Sequence, residues 1–371
     1  MLVGNGLSVA FNPSLNLRVI TQEMVERIGQ ESDEGSDVVA AMKEIAERAL
    51  PMGAETDDDF EVLVGAFGSE TRTLSYLRQL AELVSPQDES LKEAIKTVSD
   101  FAEQVRDTGL SHVLQVIFER SHGYWEDARH LHTLVAKLTE AFNGRVVFGN
   151  LNYDTLLLSA LLATCQNELA DMGHGWRKTT VTNKESDVST QVPALRTSAS
   201  EFPTARRVQL LHLHGSLTFW SNQDRTIFAK LDTEYLSTHA QWEAVRKQET
   251  GIRPVVVLAN QRDKSAHVTE FPFSLAYEMF GTGLANANHW LVIGYSFRDE
   301  CVNDALRAEF SERTEKPKVL VVTYGEQPTV HEIERAFGWG VEDGSSQNWL
   351  SVNRAGANGM THTGEWLDFS A

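Results

Sequence analysis

Cysteine is scarce in this chain: Cys165 and Cys301 are the two present among 371 residues. Two thiols this far apart exclude a disulfide framework, a Cys-x-x-Cys redox pair and a four-cysteine zinc cluster. Each reads as a small buried apolar side chain or a plain thiol. Long apolar runs are lacking too, since no stretch approaches the roughly 20 residues that span a bilayer. The opening MLVGNGLSVAF has neither the basic start nor the small-residue cleavage site of a secretory signal. These absences predict a cytoplasmic protein without membrane attachment. Positive charge is in deficit, with 33 Lys and Arg against 52 Asp and Glu and a formal net charge of −19. Such a surface repels phosphate backbones and disfavours autonomous nucleic-acid binding. The 12 histidines show no HExxH or comparable spacing, and His130 and His132 fall on different helix faces, so no metal site is expected.

What is present reads as a globular α/β protein, 42% hydrophobic and 23% charged. From about 20 to 142 the texture is helical. Val39, Met42, Ala46 and Ala49 repeat at three- and four-residue spacing, as do Leu91, Ile95, Val98, Ala102 and Val105, and Leu131, Leu134, Val135, Leu138 and Phe142. Breaks fall at Pro51-Met52-Gly53, Gly68-Ser69, Ser85-Pro86 and Gly123. The acidic run Glu55 to Glu61 reads as a helix start.

From Arg145 the texture changes to short runs rich in β-branched residues. They are Val146–Phe148, Val208–Leu211, Val255–Leu258, Trp290–Ile293 and Val319–Val322, separated by helical segments near 153–163, 233–249, 272–286, 299–311 and 328–336. With a stubby strand at 2–4 this predicts a Rossmann-like, mainly parallel sheet of six strands with helices on both faces. The expected organisation is an α/β domain over 1–19 and 143–371, interrupted by a helical lobe over 20–142. Residues 165–207 have weak periodicity and predict a long loop. Leu217–Trp220 and Thr226–Phe228 around Asn222-Gln223-Asp224-Arg225 predict a β-hairpin. The tail from about 340 carries no clear signal, and no internal repeat is present.

Four phrases carry the chemistry. In Gly4-Asn5-Gly6-Leu7-Ser8, the glycines permit close backbone approach and the following helix would aim free N–H groups at a pyrophosphate. The same five residues also suit a tight strand-to-helix turn without a ligand. Only three residues precede the phrase, so either the strand is short or the native start lies upstream of Met1. In Asn150-Leu151-Asn152-Tyr153-Asp154, the Asn152 amide suits a ribose hydroxyl and a water together, while Asp154 suits a polar pocket or a helix N-cap. In His212-Leu213-His214-Gly215-Ser216, His214 emerges at a strand's carboxyl end as a candidate general base. His212 starts deeper and reads as a core or supporting histidine. The fourth phrase is Gly294-Tyr295-Ser296-Phe297-Arg298-Asp299-Glu300, in which Asp299 also suits an N-cap.

These phrases, in this order, resemble the sirtuin-like NAD-consuming domains. The resemblance covers 1–12 and about 143–325. In that family a Thr-Thr-Asn-Tyr-Asp run is common at the second phrase, and here Asn150 and Leu151 replace the threonines. The resemblance implies NAD as substrate, held by Gly4, Asn5, Gly6, Ser8, Asp154, Gly294, Ser296 and Asp299, with Asn152 and His214 catalytic and no metal. It implies an NAD⁺ glycohydrolase of bacterial antiphage defence. The implied partners are a homo-oligomer, a DNA-translocating ATPase of HerA type, an Argonaute-type protein or another sensor. The alternatives are a sensor or scaffold subunit that binds NAD or ADP-ribose without turnover, a protein deacylase, which lacks the cysteines for its zinc module, and an ADP-ribosyltransferase.

Overall fold

The computed structural model describes residues 1–31, 35–49, 63–64, 74, 76–85, 88–122, 128–182, 189–258 and 261–371. The run at 55–61 and the breaks at 51–53, 68–69, 86 and 123 lie outside the described residues. The strands in chain order are β1 (Leu2–Val3), β2 (Val146–Asn150), β3 (Leu169–Asp171), β4 (Gly173–Thr182), β5 (Ser189–Leu195), β6 (Val208–His212), β7 (Gly215–Asn222), β8 (Phe228–Lys230), β9 (Ile252–Val256), β10 (His289–Ile293), β11 (Lys318–Val322) and β12 (Leu350–Asn353).

Seven of them form one sheet in the order β12-β11-β10-β1-β2-β6-β3, every pairing of which is parallel. The strands are short and apolar on both faces, as burial between helical layers requires. Trp290, Leu291, Val292 and Ile293 are all buried, as are Val319 to Val322. Chain order reverses at β1, which lies between β2 and β10 and so creates the crevice where open α/β sheets bind ligands. Register then decides what meets there. Val3 pairs with both Asn150 and Ile293, Asn150 with His212, Ile293 with Val322, and Val322 with Asn353. All four phrases therefore leave the sheet at one level on its carboxyl edge.

The α/β class agrees with the expectation, and two details differ. The parallel sheet has seven strands, not six, because β3 and β12 join it while β9, read from Val255–Leu258, does not. β9 instead edges a five-stranded sheet of order β4-β5-β8-β7-β9, whose pairings are antiparallel. Residues 165–207 are likewise not one long loop, since they hold β3, β4 and β5. The β4 sequence GHGWRKTTVT is mixed polar because much of it faces water, with Val181 alone among 175–182 buried, so it lacks the apolar run that marks the parallel strands. The hairpin expected at 217–228 is the antiparallel β7–β8 pair.

Several helices carry their own start signals. Asp299 accepts from the N–H groups of Cys301 and Val302 to cap Glu300–Ser311, and Thr329 and Glu332 form a capping box on Val330–Ala336. Of the lobe, the helices Leu17–Glu31 and Glu89–His122 pack together and against the α/β part. Arg120 pairs with Glu23, Arg253 with Asp107 at 3.0 Å and Arg246 with Glu31 at 3.2 Å. An aromatic run from Phe118 through Trp242 to Trp220 carries the apolar core from the lobe into β7. Among the described residues no helix is long and apolar enough to cross a membrane, and no group of His, Cys, Asp and Glu is arranged to hold a metal ion.

Candidate active site

The first loop owes its shape to contact with another loop. Gly4 N–H donates to Ile293 O and Gly6 N–H to Gly294 O, both at 2.9 Å. A Cβ on Gly4 would stand 2.6 Å from Gly294 O, and one on Gly6 2.6 Å from Gly294 Cα. The two glycine phrases thus interlock backbone to backbone across the crevice. Asn5 turns away, its amide donating to Leu15 O at 3.4 Å.

Beneath this loop a buried polar frame ties the first phrase to the second. Asn152 Nδ2 donates to Gly4 O at 3.1 Å and to Ser8 Oγ at 2.9 Å. Ser8 Oγ donates to Asp154 Oδ2 at 2.6 Å, and Asp154 Oδ1 accepts Leu156 N–H at 2.9 Å. Asn150 Oδ1 accepts the Asn152 N–H at 3.3 Å, while Asn150 Nδ2 reaches Asn152 O. Burial, the largest influence, pushes the Asp154 carboxyl above its ordinary pKa, and the Ser8 hydroxyl and backbone N–H groups pull the other way. Replacing Asn152 by Asp would put an acceptor against Gly4 O and a second carboxylate beside Asp154. Asn152→Asp should therefore cost about 2 kcal/mol at neutral pH. A carboxyl whose folded-state pKa is raised loses its penalty as pH falls through that value, so the deficit relative to wild type should shrink on acidification. Urea denaturation at pH 7.5 and 5.5 measures it, and a deficit that grows with acidity would contradict the assignment.

His212 ends β6, is 1% exposed, and packs edge-on against Phe219. Burial, aided by the Lys230 ammonium, lowers its pKa to about 3. The ring is neutral in the fold, as a supporting histidine should be. With the unfolded value near 6.5, its contribution is complete above that pH and is lost as pH falls toward 3. Between pH 6.5 and 5.0, wild type should lose about 2 kcal/mol more stability than His212→Gln. Equal pH dependence of the two unfolding free energies would count against this.

His214 lies in the turn between β6 and β7, where the parallel sheet passes into the antiparallel one. Its O accepts Val257 N–H at 2.9 Å. The ring is 4% exposed, with Nε2 at 3.4 Å from the Tyr277 hydroxyl and 3.3 Å from Asp299 Oδ2. Asp299 Oδ2 also accepts from Lys264 Nζ at 2.9 Å. Burial pushes the Asp299 carboxyl up, but Lys264 and His214 together hold it below its ordinary pKa. Burial raises the Tyr277 phenol well above its own.

A cavity of about 790 Å³ opens on the other side of the interlocked glycines, within the ~300–1,000 Å³ usual for small-molecule sites. Gly6, Gly294, Ser296, Thr323, Tyr324 and Arg335 are among its walls. The phrase 294–299 is its partition, because Ser296 and Arg298 line the cavity while Asp299 turns inward to His214.

Residues 146–341 match the model of the SIR2-like domain. The chain belongs to the SIR2-like domain family. Domains of this family bind NAD and perform NAD-dependent chemistry, and the match spans the second, third and fourth phrases. No match emerged among curated proteins.

Of the residues read from the sequence of this SIR2-like chain, Gly6, Gly294 and Ser296 reach the cavity. Ser8, Asn152 and Asp154 form the frame with the Gly4 carbonyl, and His214 and Asp299 form a second cluster. Asn5 joins neither. Sequence reasoning missed Lys264 and Tyr277. Lys264 lies in the polar stretch QRDKSAH, to which the sequence assigned no element, and Tyr277 sits in the helical segment near 272–286, away from the four phrases. Neither carries a local signal.

Proposed function

We propose that this chain is an NAD⁺ glycohydrolase that releases nicotinamide and ADP-ribose. Membership of the SIR2-like family supports NAD as the substrate, and the cavity lined by Gly6, Gly294 and Ser296 supports a place for its phosphates. The observation that carries the reading is the buried frame of Gly4 O, Ser8, Asn152 and Asp154 on the same sheet edge as His214. The Gly4 and Gly6 N–H groups are committed to Ile293 O and Gly294 O. The Gly4-Asn5-Gly6 loop would therefore shape the phosphate side of the site, Gly6 from the cavity wall, without donating those two N–H groups. Gly294 and Ser296 would line the adenosine side, with Asp154 and Asp299 holding the walls.

In the reaction the bond between ribose C1′ and the nicotinamide nitrogen breaks. The electron pair leaves with nicotinamide, which departs neutral, and a water oxygen bonds to C1′ and releases a proton. The transition state is oxocarbenium-like, so preorganised polar groups matter more than a strong nucleophile. Asn152 would position the ribose and water, and His214 would orient a ribose hydroxyl or accept its proton. Neither side chain is among the residues that line the cavity, and His214 lies against the inward side of Asp299. Productive binding would therefore need the substrate's ribose to reach past the 294–299 segment. Depletion of NAD⁺ in antiphage defence, triggered through a homo-oligomer, a HerA-type ATPase or another sensor, is the setting supported by the sequence resemblance.

The burial of Asn152 and His214, at 6% and 4% exposure, favours a second reading, a subunit that binds NAD or ADP-ribose without turnover. Incubating the purified chain with NAD⁺ and resolving the products by chromatography separates the two. Nicotinamide and ADP-ribose in equal amounts support the glycohydrolase. Intact NAD⁺ with measurable binding supports the sensor, and neither cleavage nor binding would overturn both.

A further inference from the structure

Asp299 does more than cap a helix. Its Oδ1 accepts Cys301 N–H at 3.0 Å and Val302 N–H at 3.3 Å, which satisfies the cap. A cap needs only one side-chain oxygen, and serine, threonine or asparagine would serve equally. The second oxygen is aimed elsewhere. Oδ2 lies 2.9 Å from Lys264 Nζ and 3.3 Å from His214 Nε2, and Asp299, Lys264 and His214 are 7%, 6% and 4% exposed. Burying a lysine costs several kcal/mol, and the helix cap does not require one. The backbone that carries this carboxylate is braced, since the Tyr295 hydroxyl lies 2.9 Å from both Asp299 O and Asn303 Oδ1. Asn303 Nδ2 in turn donates to Phe297 O at 3.0 Å, bracing a turn in which Phe297 adopts φ +58°.

We propose that Asp299 and Lys264 are opposed positioning residues for His214, the carboxylate favouring a protonated imidazole and the ammonium on the same oxygen weakening that pull. The kinetic side of this rests on the proposed role of His214 as proton acceptor. When the ring takes a proton from a hydroxyl or water, an N–H bond forms, an O–H bond breaks, and the positive charge stays on the imidazole. The Asp299 carboxylate then stabilises that charge, much as a buried aspartate supports the histidine of a hydrolase triad. The Lys264 ammonium on the same oxygen offsets part of that attraction, so the pair governs how readily the ring holds a proton. A base must be neutral to act, and the two residues set that balance between them.

The charged and titratable groups facing His214 come from three elements among the described residues. Lys264 comes from Gln261–His267 and Tyr277 from Phe273–Asn286. Asp299, with the Cys301 thiol beside it, comes from the start of Glu300–Ser311. Burial holds Tyr277 neutral, and among the described residues Asp299 and Lys264 are the charged pair that meets at the oxygen beside the ring.

The test is the pKa of His214 in the full chain, read by NMR of isotope-labelled histidine and identified by the resonance missing from His214→Gln. Asp299→Asn should lower that pKa by about one unit or more, and Lys264→Met should raise it by a similar amount. Asp299→Ser, which keeps a capping hydroxyl without the charge, should match Asp299→Asn and guards against a variant that fails to fold. In the kcat/KM profile for NAD⁺, the acid limb should move to lower pH in the aspartate variants and to higher pH in Lys264→Met. Shifts in the same direction, or none, would overturn the proposal. The NMR readout does not depend on turnover, so opposed shifts in a chain that never cleaves NAD⁺ would uphold the pair and reject the glycohydrolase reading alone.

Discussion

Replacement of His214 by glutamine should lower kcat for NAD⁺ cleavage by about 10²–10⁴-fold while NAD⁺ affinity changes by no more than a few-fold. The separation between kcat and binding follows from where the ring sits. His214 is not among the residues that line the cavity, and its ring contacts include Tyr277 and Asp299. Under the proposed function, removing it would take away a group that acts on the reacting ribose and leave the cavity walls at Gly6, Gly294 and Ser296 in place. Glutamine is the informative substitution because its amide can still donate toward Asp299 Oδ2, so the buried carboxylate is not stranded. It cannot accept a proton at neutral pH. Loss of rate with retained binding marks an interaction made in the transition state. Parallel measurement of single-turnover rates and NAD⁺ binding decides the matter. Full turnover in the variant would remove His214 from the mechanism.

The second large effect is expected at Gly294. Its φ is +62°, and a Cβ there would stand 2.5 Å from Gly6 C, Gly6 Cα and Leu7 N. All three are backbone atoms, so no side-chain rotation relieves the clash. The left-handed conformation alone costs about 1–2 kcal/mol for an L-residue, and overpacking against rigid structure adds about 1–3 kcal/mol. Gly294→Ala should thus lose about 2–5 kcal/mol and open the contact between the two glycine phrases. NAD⁺ binding should fall with it, because the Gly4–Gly6 loop and the 294–299 partition rest on each other. Gly359 provides the control, being left-handed at φ +82° with nothing within 4 Å of a built Cβ. Gly359→Ala should carry the conformational cost alone. Equal unfolding free energies for the two variants, from urea denaturation, would show that the interlock contributes nothing.

These effects divide the molecule into what local sequence can signal and what it cannot. The core strands of the parallel sheet were legible because each is a short apolar run ended by glycine or a polar residue, a pattern produced by burial on both faces. The helix starts at Asp299 and Thr329 were equally local, since a cap acts within three residues of its own position. The four phrases could be placed at strand ends for the same reason. β4 carries no such signal, because a strand with a solvent face has Lys and Thr in place of an apolar run. β9 looked like any parallel strand, because burial on both faces leaves the same apolar texture in either sheet.

Sequence by itself determined the α/β class, the helical texture before residue 142, the family resemblance and the identity of the polar residues available at the sheet edge. The tertiary structure alone decided their company. Strand register brought Val3, Asn150, His212 and Ile293 to one level. Packing set Gly6 against Gly294, turned Asn5 away, enclosed Asn152 with Ser8, and delivered Lys264 and Asp299 to His214. Each of these pairs joins residues far apart in the chain, and contacts of that kind depend on how helices and sheets pack, a property that short-range patterns of side chains do not encode.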